Sequence, residues 1–385
     1  MSILVFFPWL AMRGQGEIAN LRLLEYKRSE LPAGSGTAIQ QEIDSILEPY
    51  IAHGTQPIER ATIIAIGGSD LTRDLTDDEI NAVFAFSELL AFAGLATRQF
   101  FSQSEYCNRD VFQLVVQRYS EPKGGAAFTS RRRDGSVTRY VTRDALAIKR
   151  PEYIQAPVST KVDIPLLNAL VQAQRELDQE IWNAYFEAIV NYGVANRDSP
   201  DLTLQIEAVL MIGAFERLFD LRGGKENALA HCFAAALQPT EEVAIETCTR
   251  FSTPEAQSFL SQHHSIRNAW IRDFFRLRGN LAHGLITPGY RSRWSLQEHL
   301  LLGSYIFPLL VKSKFSRDGL YVLTDRDQDD IDVFERLACV ELFPQVSNDP
   351  TDAEAESREF PWNEVRSRFL FDRMATRISN RQRGE

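Results

Sequence analysis

From about residue 160 to 345 the apolar residues of this chain recur at helical spacing, segment after segment, with short polar breaks between. An apolar stripe of that kind must be buried against another, so this stretch has few solutions other than a helical bundle. Residues 165–194 read as one long amphipathic helix, and 202–221 (LTLQIEAVLMIGAFERLFDL) as a second, strongly apolar one. Gly223-Gly224 breaks the chain. Shorter helices are predicted over 226–237 and 241–251, the latter with Thr240 as N-cap. Residues 253–278 open on Thr-Pro-Glu, a cap followed by proline at the first helical position. Helices over 295–312 and 329–340 complete the set.

Residues 1–150 carry a different pattern. Strand-like runs occur at 3–10 (ILVFFPWL), 61–66 (ATIIAI) and 111–119 (VFQLVVQRY). A hairpin is predicted from 126–133 and 137–142, which flank the Asp134-Gly135 turn. Residues 77–95 have helical periodicity and an acidic first turn. Gly67-Gly68-Ser69 follows a strand but lacks a GxxxxGK[ST] frame, and reads as a plain turn. Residues 151–163 hold two prolines and no apolar period, and read as an extended linker. The expected fold class is therefore multidomain α+β. A mixed α/β domain (1–150) of unassigned role, sensing or positioning substrate, is followed by the linker (151–163), an all-α bundle (164–345) and a tail (346–385). A length of 385 residues suits two to three domains.

Composition excludes several classes. Hydrophobic residues at 44% and charged residues at 24% rule out wholesale disorder. The formal charge is −10, so any site for a polyanion must be local. Arginine outnumbers lysine 35 to 7, which suits phosphate recognition and equally follows from a GC-rich genome. Cys107, Cys232, Cys248 and Cys339 show no zinc spacing and no disulfide framework, so a reducing cytoplasm is expected. The apolar opening run lacks a basic n-region and is too short to span a bilayer, and no membrane is expected as a partner. The tail is acidic over 349–359 and basic over 361–385, where Trp362, Val365 and Phe369 share a helical face that is expected to dock on its own domain. Residues 325–330 (DRDQDD) have the look of a calcium loop. Asp330 stands where it needs glycine and Arg336 where it needs glutamate, so the run is read as helix-capping acid.

The six histidines decide where chemistry could live. His53, His231, His263 and His264 have no partner at metal or triad spacing, and neither HExxH nor GxSxG is present. His283 differs. It closes the segment 274–284 (FFRLRGNLAHG), in which an arginine-rich helix meets Gly279 and then His283-Gly284. Arg278 and His283 are five positions apart, about 140° around a continuous helix. Two arrangements could bring them to one phosphate: a bend at Gly279, or a second copy of the motif across a two-fold axis. The spacing R-x4-6-H occurs three times: Arg278 with His283, Arg276 with His283, and Arg293 with His299. Context favours His283 over His299, which Leu300-Leu301-Leu302 follows inside a packing helix, and Arg278 over Arg276.

That segment resembles the R-x4-6-H signature of HEPN domains, in particular the Apea-like HEPN group. The resemblance extends over about residues 165–315, with Glu207 and Glu216 in the apolar helix and 294–310 as the closing helix. It implies metal-independent endoribonuclease activity with no cofactor. His283 would move the proton of the 2′-OH or of the leaving 5′-oxygen. Arg278 would hold the phosphate oxygens as charge builds, and Asn280 would bond the phosphate or orient the imidazole. The products would be a 2′,3′-cyclic phosphate and a 5′-hydroxyl. Local charge agrees: residues 265–295 carry +5, with Arg276, Arg272 and Arg267 as candidate substrate-binding groups. The alternative is that these arginines lie on a solvated helix face and pair with acids elsewhere. The resemblance further implies an RNA substrate, a homodimer through the helical domain, and a defence or toxin role with a trigger or inhibitory protein. The competing class is a non-catalytic nucleotide- or RNA-binding protein that keeps the bundle without turnover.

Overall fold

The run Ile3, Leu4, Val5, Phe6 and Phe7 is buried at every position, the mark of a strand covered on both faces. In the computed structural model it is β1 (Ser2–Phe7), an inner strand of a seven-stranded antiparallel sheet. The structure describes residues 2–12, 15–30, 37–67, 74–102, 104–119, 126–141, 146–154, 160–221, 225–244, 247–283, 290–343 and 360–383. The chain divides into two units, Met1–Arg175 with Arg197–Asp201, and Glu176–Asn196 with Leu202–Glu385.

In the first unit β1 is followed by β2 (Gln15–Ile18), β3 (Leu21–Lys27), α1 (Thr37–Leu47), β4 (Tyr50–His53), β5 (Gln56–Pro57) and β6 (Arg60–Ile66). Then come α2 (Asp77–Leu95), a 3₁₀ turn (Arg109–Phe112), β7 (Val115–Tyr119), β8 (Ala126–Arg132), β9 (Gly135–Val141), β10 (Ile148–Lys149) and α3 (Ile164–Glu176). The large sheet runs β2-β3-β6-β1-β7-β8-β9, and a small one runs β10-β4-β5. Val5 faces Ile64 on one side and Val116 on the other. The predicted hairpin forms, with Arg132 opposite Gly135, whose φ of 125° suits glycine. Thr76 and Glu79 close a capping box at the start of α2. At its other end Gly94 lies so near the Phe112 ring that a Cβ would sit 2.2 Å from Cζ. Of the strand expected over 111–119, only 115–119 is strand (β7); Val111 and Phe112 are buried in the 3₁₀ turn before it. Residues 197–201 are held within this unit: Asp110 Oδ2 accepts from the Asp198 amide at 3.1 Å, and Tyr106 Oη donates to Asp198 at 2.9 Å.

The second unit is helical among its described residues. It holds α4 (Gln179–Val194), α5 (Leu204–Leu218), α6 (Glu226–Ala236), a 3₁₀ turn (Thr249–Phe251), α7 (Pro254–Ser261), α8 (Ile266–His283), α9 (Leu296–Arg317), α10 (Asp325–Ala338) and α11 (Pro361–Arg383). Its core is aromatic. Trp270 of α8 has ring centroids of Phe233, Phe274 and Phe334 within 5.2–5.7 Å. α9 is buried almost all round, and its Gly303 admits Met211 Cγ at 3.1 Å from where a Cβ would stand.

Several expectations need correction. The helix predicted over 165–194 is two, α3 and α4, because Asp178 caps α4 by accepting from the Glu180 amide at 2.8 Å. α3 belongs almost wholly to the first unit, which therefore reaches Arg175 rather than 150. The helix over 253–278 is likewise two, α7 and α8, with Ser265 Oγ accepting the Asn268 amide at 3.3 Å. Among the described residues of 241–251 no α-helix is found, and Thr249–Phe251 forms a 3₁₀ turn. The amides of Thr240 and Val243 donate to Asp332 and Glu335 of α10 at 2.8 and 3.2 Å, which ties this segment to α10. The acidic run 325–330 forms the first turns of α10, behind a Thr324–Asp327 capping box. Cys248 and Cys339, read as free thiols in the sequence, form a disulfide with Cα atoms 4.7 Å apart. α11 buries Trp362 and Phe369 as expected of a docking helix, and Arg366 and Arg373 pair with Asp330 and Asp332 at 2.6 and 2.7 Å. Gly68, Ser69, Gly223, Gly224 and the acidic run 349–359 lie outside the described residues. No described helix is long and apolar enough to cross a membrane.

Candidate functional site

α8 carries all the catalytic and substrate-binding candidates, Arg267, Arg272, Arg276, Arg278, Asn280 and His283. Ile266, Ala269, Trp270 and Phe274 give it a buried face, and the arginines occupy the remainder. It runs through Gly279 without a break and ends at His283. Residue 283 is described in its backbone only, and Gly284 lies outside the described residues. With no bend at Gly279, regular helix geometry sets positions 278 and 283 about 140° apart. Position 276, by contrast, is about 20° from 283, two turns away along the axis. Positions 272, 276, 280 and 283 fall within roughly 80° of one another, a single stripe.

Each candidate arginine has an acid partner. Arg267 Nη1 donates to Glu335 Oε1 at 2.7 Å and its Nη2 to Glu242 Oε1 at 3.0 Å. Arg272 Nη1 reaches Glu226 Oε1 at 3.1 Å, while its Nε donates to Asn268 Oδ1 at 2.9 Å. Arg276 forks onto the same Glu226 through Nε and Nη2 at 2.9 and 2.8 Å. Arg278 turns to the other side of the helix, where Nη2 donates to Glu216 Oε2 of α5 at 3.3 Å. So the helix gathers Arg272 and Arg276 at α6 and sends Arg278 to α5. Asn280 is half-buried. Burial pushes the Glu226 carboxyl up, but the bonds from Arg276 and Arg272 outweigh it and hold the group below the usual carboxylate range. At Glu216 burial wins over Arg278 and Arg217, and that carboxyl titrates above its ordinary value.

The sequence reading named Glu216 but missed these pairings. Glu216 left a trace, since a carboxylate inside an apolar helix needs a buried partner. It also missed the role of Asp273. This carboxylate, 1% exposed, accepts from the Arg293 amide at 2.8 Å and from Tyr290 Oη at 2.9 Å. Ser292 Oγ lies 2.7 Å and His299 Nε2 3.2 Å from its Oδ2. Ser292, His299 and Asp273 are the residue types of a hydrolase triad, but the geometry is wrong for one. A triad histidine uses one nitrogen for the acid and the other for the serine. Here Nε2 faces both, and Nδ1 is buried without a partner. His299 is also fully buried, stacked on Phe274 at 4.6 Å. Burial pushes its imidazole below the ordinary value despite the pull of Asp273, so it is a neutral donor to a carboxylate. The cluster clasps residues 290–294 to α8.

Among the described residues no three His, Cys, Asp or Glu side chains are grouped to hold a metal ion. No protein-family model matches the chain, and no curated protein or solved structure does.

Proposed function

We propose that the helical unit is a metal-independent endoribonuclease of HEPN type, acting in cells as a defence or toxin effector. The observation that carries this reading is α8 itself: one unbroken helix bearing Arg272, Arg276, Arg278, Asn280 and His283. His283 takes the proton of the 2′-OH or returns one to the leaving 5′-oxygen. Arg278 stabilises the phosphorane-like charge, and Asn280, on the stripe of position 283, bonds the phosphate or orients the imidazole. Arg276 and Arg272 on the α6 side of the helix, with Arg267 earlier along it, draw the strand by exchanging their carboxylate partners for its phosphates. Since positions 278 and 283 diverge on the unbroken helix, the pair that grips one phosphate is assembled from two copies of the chain across a two-fold axis.

The test is cleavage of end-labelled RNA in excess EDTA. Cutting should persist, leave 2′,3′-cyclic phosphate ends, and fall about 10²–10⁴-fold in His283→Ala. Activity that vanishes with chelator and returns with magnesium would overturn the mechanism.

A second reading is a non-catalytic RNA- or nucleotide-binding unit. The pairs Arg278–Glu216 and Arg276–Glu226 favour it, since guanidinium groups already held by carboxylates have less to offer a transition state. RNA binding with no cleavage product under any condition would select it.

A further inference from the structure

Between α6 and the first turns of α8 lies a cavity of about 350 Å³. That is at the lower end of the sizes that hold small ligands. Its walls combine apolar surface, including Ala234, with planar polar groups: Asn227 and His231 from α6, His264 just before α8, and Arg267, Asn268 and Arg272 from α8 itself. Glu242 stands at its edge.

The electrostatics argue against an anion. Arg267 is matched by Glu335 and Glu242, and Arg272 by Glu226, so a phosphate would have to compete with three carboxylates. The lining is a set of flat polar groups, two carboxamides, two imidazoles, one carboxylate and two guanidinium planes, of which Asn227, Asn268, Glu242, Arg267 and Arg272 already hydrogen-bond within the protein. Such a set is suited to a flat heterocycle that presents alternating donors and acceptors at its edge and π-faces above and below. One donor is still unsatisfied. Arg267 Nε is buried and has no acceptor in the protein, where buried donors are nearly always paired.

We propose that this cavity holds one unstacked nucleobase of the RNA strand, so that the protein selects for a base at a fixed distance from the cut. The proposal rests on the RNA reading above. Arg272 lines the cavity and shares Glu226 with Arg276, which leads along the same stripe to position 283. From 272 to 283 the helix rises on the order of 16 Å. The base that is read is therefore not the one flanking the scissile phosphate but one further along the strand.

The experiment uses the full chain carrying His283→Ala, which prevents cutting, and fluorescein-labelled hexamers of A, C, G and U read by anisotropy. One base should be preferred by at least about fivefold, the low end of what a paired base edge discriminates. Asn227→Ala and His231→Ala, both at exposed positions, should each reduce that preference while leaving the averaged affinity within about threefold, because phosphate contacts set most of it. Equal binding of all four hexamers, no binding of any, or a preference that survives both variants overturns the proposal. The outcomes separate it from the nuclease reading. Selective binding by a protein whose unmodified form never cuts RNA keeps the cavity and removes the nuclease. Cutting without base preference does the reverse.

Discussion

Arg276 and Glu226 meet as a two-pronged ion pair, Nε on Oε2 at 2.9 Å and Nη2 on Oε1 at 2.8 Å, while Arg272 holds the same carboxylate at 3.1 Å. One acid thus restrains two of the three arginines proposed to draw in RNA. Glu226→Gln should free both. The expected result is tighter RNA binding, with a plot of log K against log salt steeper by about one unit. Unchanged affinity and slope would mean that neither arginine reaches a phosphate.

Mixing two inactive variants tests the two-fold site. Arg278→Ala and His283→Ala should each be nearly inactive alone. Co-refolded in equal amounts, half of the dimers are mixed, and each mixed dimer regains one complete site if the pair is formed across the axis. About a quarter of the unmodified rate should return. If both residues act within one chain, every site in the mixture stays broken and no activity returns.

The Asp273–His299 clasp makes stability depend on pH in a defined direction. Burial lowers the His299 pKa in the fold, so below about pH 6.5 the unfolded chain binds a proton that the folded chain does not. Stability should fall as pH drops from 7 towards 5. The Asp273 carboxyl is also held low, and its contribution is lost at more acidic pH, below about 3.9. In urea titrations His299→Gln should show a flatter profile between pH 7 and 5. Asp273→Ala, which strips several buried donors of their acceptor, should cost about 3–5 kcal/mol at neutral pH. A profile identical in His299→Gln and the unmodified protein would show that this imidazole is not the titrating group.

The disulfide Cys248–Cys339 closes a loop of 91 residues that contains α7 to α10. Reduction should lower the stability of the helical unit by about 2–4 kcal/mol. Cys339→Ser should have the lower melting temperature from the start and be insensitive to dithiothreitol. If reductant shifts the variant as much as the unmodified protein, the effect lies elsewhere.

Where a local signal was complete, the sequence was enough. α2 is found at Asp77–Leu95 as expected, since periodicity, capping residues and acidic first turn agree there. The Asp134-Gly135 hairpin follows from turn chemistry in the same way. Periodicity alone was weaker: it runs smoothly through Asp178 and Ser265, where a single cap hydrogen bond splits each expected helix. β2, β3 and α1 went unread although β3 buries Leu21, Leu23, Leu24 and Tyr26 and α1 repeats Ile39, Ile43, Ile46 and Leu47 at helical spacing, a short signal that the reading passed over. The candidate site was legible as residue types on one helix, and its electrostatics were not. Glu226, Glu216 and Glu335 lie 50, 62 and 68 positions from the arginines they hold, and nothing in sequence spacing predicts such pairs.

The five residues Arg197–Asp201 belong to the first unit although the helices on both sides of them belong to the second. The chain therefore passes from one unit to the other three times. A fragment beginning near residue 176 would carry Asp198 without the Asp110 and Tyr106 that hold it. The helical unit is thus not an interchangeable cassette, and grafting it onto another protein would have to replace this excursion with a designed turn.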